Sequence, residues 1–261
     1  MSEKKRKKYH RGRREKKKVS IVSLIILVIA LAVFAFSAYQ LVKIYSGYHK
    51  GESEYEDLEK TAVTVDKEDE DRYRVDFDAL RAINPDVIAW IRFEEPAVIS
   101  YPVVRGKDND EYLYKTFKGY DNTVGTIFVN SYNNPDFNDK NTIIYGHYMY
   151  NGTMFNELEE YHAEEFWKKH PFFYIYTPDG AEIKYHIYSV GVVKDTSEGY
   201  TYQFADDAAF ASFVNATKAS SLYDTGVEVG PDAQVVTLST CTKDNNDDRT
   251  VVHAVKMEVK Q

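Results

Sequence analysis

One cysteine, Cys241, stands in a chain of 261 residues, so no intrachain disulfide can form and no cysteine-based zinc site can be built. Proline is scarce at seven, no Gly/Ser or Pro stretch marks a linker, and no internal repeat is present. Basic charge is in deficit after residue 18, where 22 Lys+Arg face 39 Asp+Glu, a balance of −17. A body that acidic argues against nucleic-acid binding, which needs a basic surface to meet phosphate. What the chain has in quantity is aromatic side chains: 22 Tyr, 14 Phe and two Trp. With 43% hydrophobic residues it is too apolar for disorder, and one globular domain with appendages is expected.

The missing basic charge sits at the front. Residues 1–18 hold 11 Lys+Arg against two Glu, or +9. From Val19 to Val42 there follow 24 residues without a charge, beginning VSIVSLIILVIALAVFAF. As a helix rising ~1.5 Å per residue they reach ~36 Å, enough for a hydrocarbon core of ~30 Å. A cleaved signal peptide is the rival reading, with small residues at Ala35, Ser37 and Ala38, but the run exceeds the ~7–15 residues of a signal core. The reading adopted is an uncleaved anchor at 19–42. The excess of Lys and Arg before it predicts a cytoplasmic tail, 1–18, with everything after Lys43 outside.

Residues 43–75, with ESEYEDLEK and DKEDEDR, read as a polar extracellular stalk, and 76–261 as the globular domain. Phe77–Ile83 predicts a short helix stopped at Asn84-Pro85, because the residue before proline avoids the α region. Strand-like runs follow at 98–104, 126–130, 142–145, 172–177, 182–193, 235–241 and 250–259, the fourth and fifth joined by the turn Pro178-Asp179-Gly180. Apolar periodicity predicts helices over Met154–Lys169, with Met154, Leu158 and Tyr161 on one face, and over Asp206–Lys218. Many short strands with few helices predict a mainly β fold, a closed or nearly closed barrel with helices at its rim.

Cys241 ends the run VVTLSTC. A lone cysteine is commonly a small buried hydrophobe. Against that, an unpaired thiol outside the membrane risks oxidation, and this one precedes the polar loop TKDNNDD at a strand end. Arg249 opens the next strand, so antiparallel pairing would set it beside Cys241. A guanidinium there could favour the thiolate, the reactive form of a thiol whose free pKa is ~8.5, or stabilise an oxyanion on a substrate carbonyl. The alternative for Arg249 is a solvated charge paired with Asp247 or Asp248.

Acyl transfer by a thiol also needs a proton carrier. Of seven histidines, His10 and His49 fall in the tail and the stalk. Packing accounts for His162, His170 and His186, and His253 shares a strand face with Val251, Val255 and Met257 as a core histidine. His147 follows NTIIYG and precedes YMYNGT, at a strand end like Cys241. The acidic loop at Asp244, Asn246 and Asp248 alternates as an EF-hand does, but Arg249 stands where its glycine belongs and Val255 where its glutamate does.

The run TLSTC, the arginine soon after it and the earlier IIYGH resemble the sortases, cysteine transpeptidases of Gram-positive surfaces. NPDVIAWI, YPVV, GTIF, MFNELEEY and RTVVHAVK are similar to the class B pattern and occur in its order over most of 76–261. The resemblance implies an eight-stranded barrel, with Cys241, His147 and Arg249 as catalytic residues. Ser239 and Thr240 become candidates for lining the substrate groove. It further implies surface proteins with a C-terminal sorting signal, of N-P-x-T type by class, as substrates. The acceptor would be an amine of the cell-wall peptide or of a pilin. No cofactor or metal is implied. The competing readings are a peptidoglycan-crosslinking cysteine transpeptidase, whose S-H-G-C element is absent here, and a membrane-anchored binding or sensor module in which Cys241 is incidental.

Overall fold

The computed structural model describes residues 20–65, 73–94, 99–242 and 247–260; the basic tail, residues 66–72, Val98, Asp244 and Asn246 lie outside them. The chain divides into two compact units, 1–45 and 46–261. In the first, helix α1 (Ile21–Ala62) begins, and from Ile21 to Tyr45 it is apolar and exposed, long enough to cross a membrane.

The second unit begins within the same helix. Gly51, Tyr55, Leu58 and Ala62 of α1 are buried, spaced as one helical stripe. Tyr55, Leu58 and Ala62 join the main core, so the part of the expected stalk from 46 to 62 is instead packed against the domain. Tyr55 and Leu58 within ESEYEDLEK, with Gly51 and Ala62 beside it, were enough for that, because a helix needs only one apolar face to dock.

A two-stranded ribbon, β1 (Val63–Val65) and β2 (Tyr73–Val75), leads to α2 (Phe77–Ile83). The Asp76 carboxylate accepts from Ala79 N at 2.9 Å to cap α2, and Asn84 leaves it in an extended conformation ahead of Pro85. Next come β3 (Val87–Phe93), β4 (Ser100–Val104), β5 (Ile127–Val129), β6 (Asn141–Tyr145), α3 (Glu164–Lys169), β7 (Phe172–Tyr176), β8 (Glu182–Lys194), α4 (Asp207–Ala219), β9 (Val235–Cys241) and β10 (Asp248–Lys260). The last eight strands close a barrel in the order β10-β8-β7-β3-β4-β5-β6-β9. The main hydrophobic core includes Trp90, Ile91, Phe173, Tyr185 and Leu238, and α4 covers a second apolar cluster with Phe210 and Phe213 over Tyr188 and Val255.

Two departures from the sequence reading have clear causes. Strand β3 was not among the expected strands because VIAWIRF is buried at all but two positions, which erases the period of two. The helix expected over Met154–Lys169 is two pieces, a 3₁₀ turn at Asn156–His162 and α3, separated by extended Ala163. Phe155, Leu158 and Tyr161 are all fully buried, and their spacing of three fits three residues per turn.

Candidate active site

Strand direction assembles the site. β9 runs parallel to β6 and antiparallel to β10, with Tyr145 opposite Ser239 and Arg249 opposite Cys241. The ends of β6 and β9 and the beginning of β10 therefore meet at one rim of the barrel. The link from β6 to its exit is Gly146, whose N–H donates to Ser239 O at 3.1 Å. A Cβ there would stand 2.4 Å from Ile127 Cδ1 and 2.6 Å from Phe155, so only glycine lets the chain turn toward His147 over those buried side chains.

Cys241, His147 and Arg249 line one cavity of about 330 Å³, together with Asn109, Leu113, Tyr145 and Tyr200. Cys241 is half-buried. His147 Nε2 lies 2.6 Å from Leu113 O; a carbonyl only accepts, so Nε2 carries a proton and Nδ1 is the remaining site for proton exchange. Burial pushes the imidazole below its ordinary pKa, and the Leu113 carbonyl pulls the other way. The neutral base is thus favoured at pH 7. The Tyr114 ring lies 5.8 Å from the imidazole, and Gly125, at φ +63°, closes the edge of the ring.

Arg249 extends its fork in two directions. Nη2 lies 3.6 Å from Asp195 Oδ2, and Nη1 donates to Asp248 O at 3.2 Å. A carboxylate partner of Arg249, Asp195, comes from the loop after β8, and the Asp248 carboxylate pairs with Lys194.

Both further candidates, Ser239 and Thr240, line the same cavity, but their hydroxyls differ in setting. Ser239 shares the Cys241 face of β9, and its Oγ lies 2.6 Å from Tyr200 OH. Thr240 alternates to the opposite face, where its hydroxyl is buried without a hydrogen-bond partner. Tyr200 in turn stacks on Tyr145 at 6.4 Å between ring centres. Tyr200, Asp195 and Leu113 were not singled out in the sequence. They come from connections with no local pattern, and Leu113 contributes only its main chain to His147. His253 is buried away from this cavity, with Nδ1 2.9 Å from Thr237 Oγ1, and burial takes its pKa down to about 3. Among the described residues no group of three His, Cys, Asp or Glu is placed to hold a metal ion.

The sortase domain family model matches residues 94–257, more than half of the chain. Sortase B of Listeria monocytogenes is 33% identical over 177 residues, 66% of this chain and 70% of that protein. Sortase B of Staphylococcus aureus is 30% identical over 205 residues, 78% of this chain and 82% of that one. The chain belongs to the sortases, in class B. The crystal structure of sortase B from Bacillus anthracis in complex with AAEK1 superposes on this sortase with a TM-score of 0.72 at 31% identity, covering 82% of this chain and all of that one. A sortase of this class is a cysteine transpeptidase, and this one has a single cysteine to serve it.

Proposed function

We propose that this sortase is held in the plasma membrane by residues 19–42, with 1–18 inside and the catalytic unit outside. There it cleaves the sorting signal of surface proteins through a thioester on Cys241. The observation that carries the reading is the meeting of Cys241, His147 and Arg249 at a single cavity. In the first half-reaction the Cys241 thiol passes its proton to His147 Nδ1 as its sulfur attacks the scissile carbonyl; the S–C bond forms, the C–N bond breaks, and the leaving amine takes that proton from His147. Arg249 grips the substrate and the oxyanion that develops on that carbonyl. In the second half-reaction an amine of the cell-wall peptide or of a pilin attacks the thioester. A C–N bond forms, the S–C bond breaks, and the proton lost by the amine passes through His147 back to the Cys241 sulfur. Ser239 lines the groove beside the nucleophile, its hydroxyl held by Tyr200.

An N-P-x-T peptide incubated without acceptor amine tests the chemistry. The expected product is an acyl adduct on Cys241, seen by mass spectrometry and released by hydroxylamine. An adduct on Cys241→Ala, or none on the native enzyme, would overturn the reading. Topology is checked separately by protease treatment of intact cells, which should digest the catalytic unit and spare the basic tail.

A further inference from the structure

The part of α1 in the second unit runs along the connection between β4 and β5, and it is fastened there turn by turn. Gly47 O accepts from Asn122 Nδ2 at 2.9 Å. Gly51 lies so close to Val124 that a Cβ would be 2.8 Å from its Cγ2. Glu54 Oε1 accepts from Lys118 N at 2.8 Å. Tyr55, only 4% exposed, donates its hydroxyl to Gly125 O and lies 3.1 Å from Thr126 Oγ1. Positions 47, 51, 54 and 55 form one helical face, so the four contacts act as a rail.

The other side of the same connection is the wall of His147. It supplies the Leu113 carbonyl that holds Nε2 and the Tyr114 ring beside the imidazole. Gly125 belongs to both sides. Its carbonyl receives Tyr55, while its Cα faces the histidine so closely that a Cβ would be 3.0 Å from His147 Cδ2 and 2.6 Å from Leu113 O. One residue therefore separates the hydroxyl of a helix outside the barrel from the imidazole at its rim.

We infer that Tyr55 is a positioning residue for His147: through Gly125 it fixes the wall against which the imidazole is held. This rests on the reading of His147 as the proton carrier. Without the hydroxyl, the Gly125 carbonyl is left buried and unpaired, and the connection must shift to find a partner. The ring that leans on it then loses its fixed orientation, and proton transfer is sensitive to displacements well under 1 Å.

Tyr55→Phe in the full chain, purified in detergent, removes the bond while keeping the packed ring. The expected results are a kcat lower by about tenfold with KM within about twofold, and a displaced Cε1–H resonance of His147 in ¹³C-histidine-labelled protein. That resonance is assigned by its absence in His147→Ala. Gly51→Leu, which wedges the rail from Val124, should move the same resonance and lower kcat by up to about a hundredfold. Lys60→Ala, on the exposed side of α1, should leave both unchanged. A Tyr55→Phe enzyme that melts earlier but keeps its kcat and its His147 resonance would reduce the contact to ordinary packing and overturn the inference. An active His147→Ala would instead sink the catalytic reading, whereas the resonance would still report whether Tyr55 holds the imidazole.

Discussion

At the scale of single residues, the arginine gives the sharpest test. Arg249 uses two nitrogens in two directions, toward Asp195 and toward Asp248 O, which a single ammonium cannot copy. Arg249→Lys should therefore lose activity almost as badly as Arg249→Ala, on the order of 10²–10³ in kcat, the cost of one oxyanion donor. A Lys enzyme with near-native kcat would leave the arginine a purely electrostatic role. His253 predicts a different effect. Unfolded, it takes up a proton near pH ~6.5; folded, only near about 3. Between those values the unfolded chain binds more protons, so stability is complete above pH ~6.5 and lost as pH falls toward 3. His147, His162 and His186, also shifted down by burial, add in the same sense. Melting temperature should decline steeply from pH 6.5 to 4, and less steeply in His253→Gln; parallel slopes would count against it. That Cys241, His147 and Arg249 gather at one cavity was legible because each stands where an apolar run meets a polar loop. Tyr200 and Asp195 were not, since their approach depends on how the connection after β8 folds back.

At the scale of elements, period and burial decide what sequence reveals. β8 and β9 announce themselves by β-branched and aromatic runs between turns, whereas β3, paired along its edges with β4 and β7, is largely buried on both faces and loses its alternation. The 3₁₀ turn at Asn156–His162 shared its apolar residues with a plausible α-helix, and only the spacing of Phe155, Leu158 and Tyr161 separates the two. The exit from β6 offers a test at this scale. Gly146→Ala must push against Ile127 and Phe155, both buried, so it should cost about 1–3 kcal/mol and disturb His147. Unchanged melting and turnover would mean the turn has room that the geometry denies.

At the scale of the whole molecule, a domain boundary drawn from charge at residue 76 misses a docked helix, because acidic residues on the outer face of α1 mask the stripe beneath. A fragment starting at Ser46 should be soluble and fold without the apolar span. One starting at Asp76 loses the burial of Tyr55 and Leu58, worth about 1.5–3 kcal/mol each, and should melt on the order of 10 °C lower. Equal melting temperatures would show that the helix adds nothing. The barrel itself is closed by β9, which enters between β6 and β10. Its partner on the β6 side lies far back in the chain, since Tyr145 is opposite Ser239, and pairing at such separation is slow because a long loop must close first. The thiol and the imidazole therefore come together only once the long-range pairing of β6 with β9 has formed. Until that pairing forms, the cysteine has no proton carrier beside it, and its chemistry stays silent.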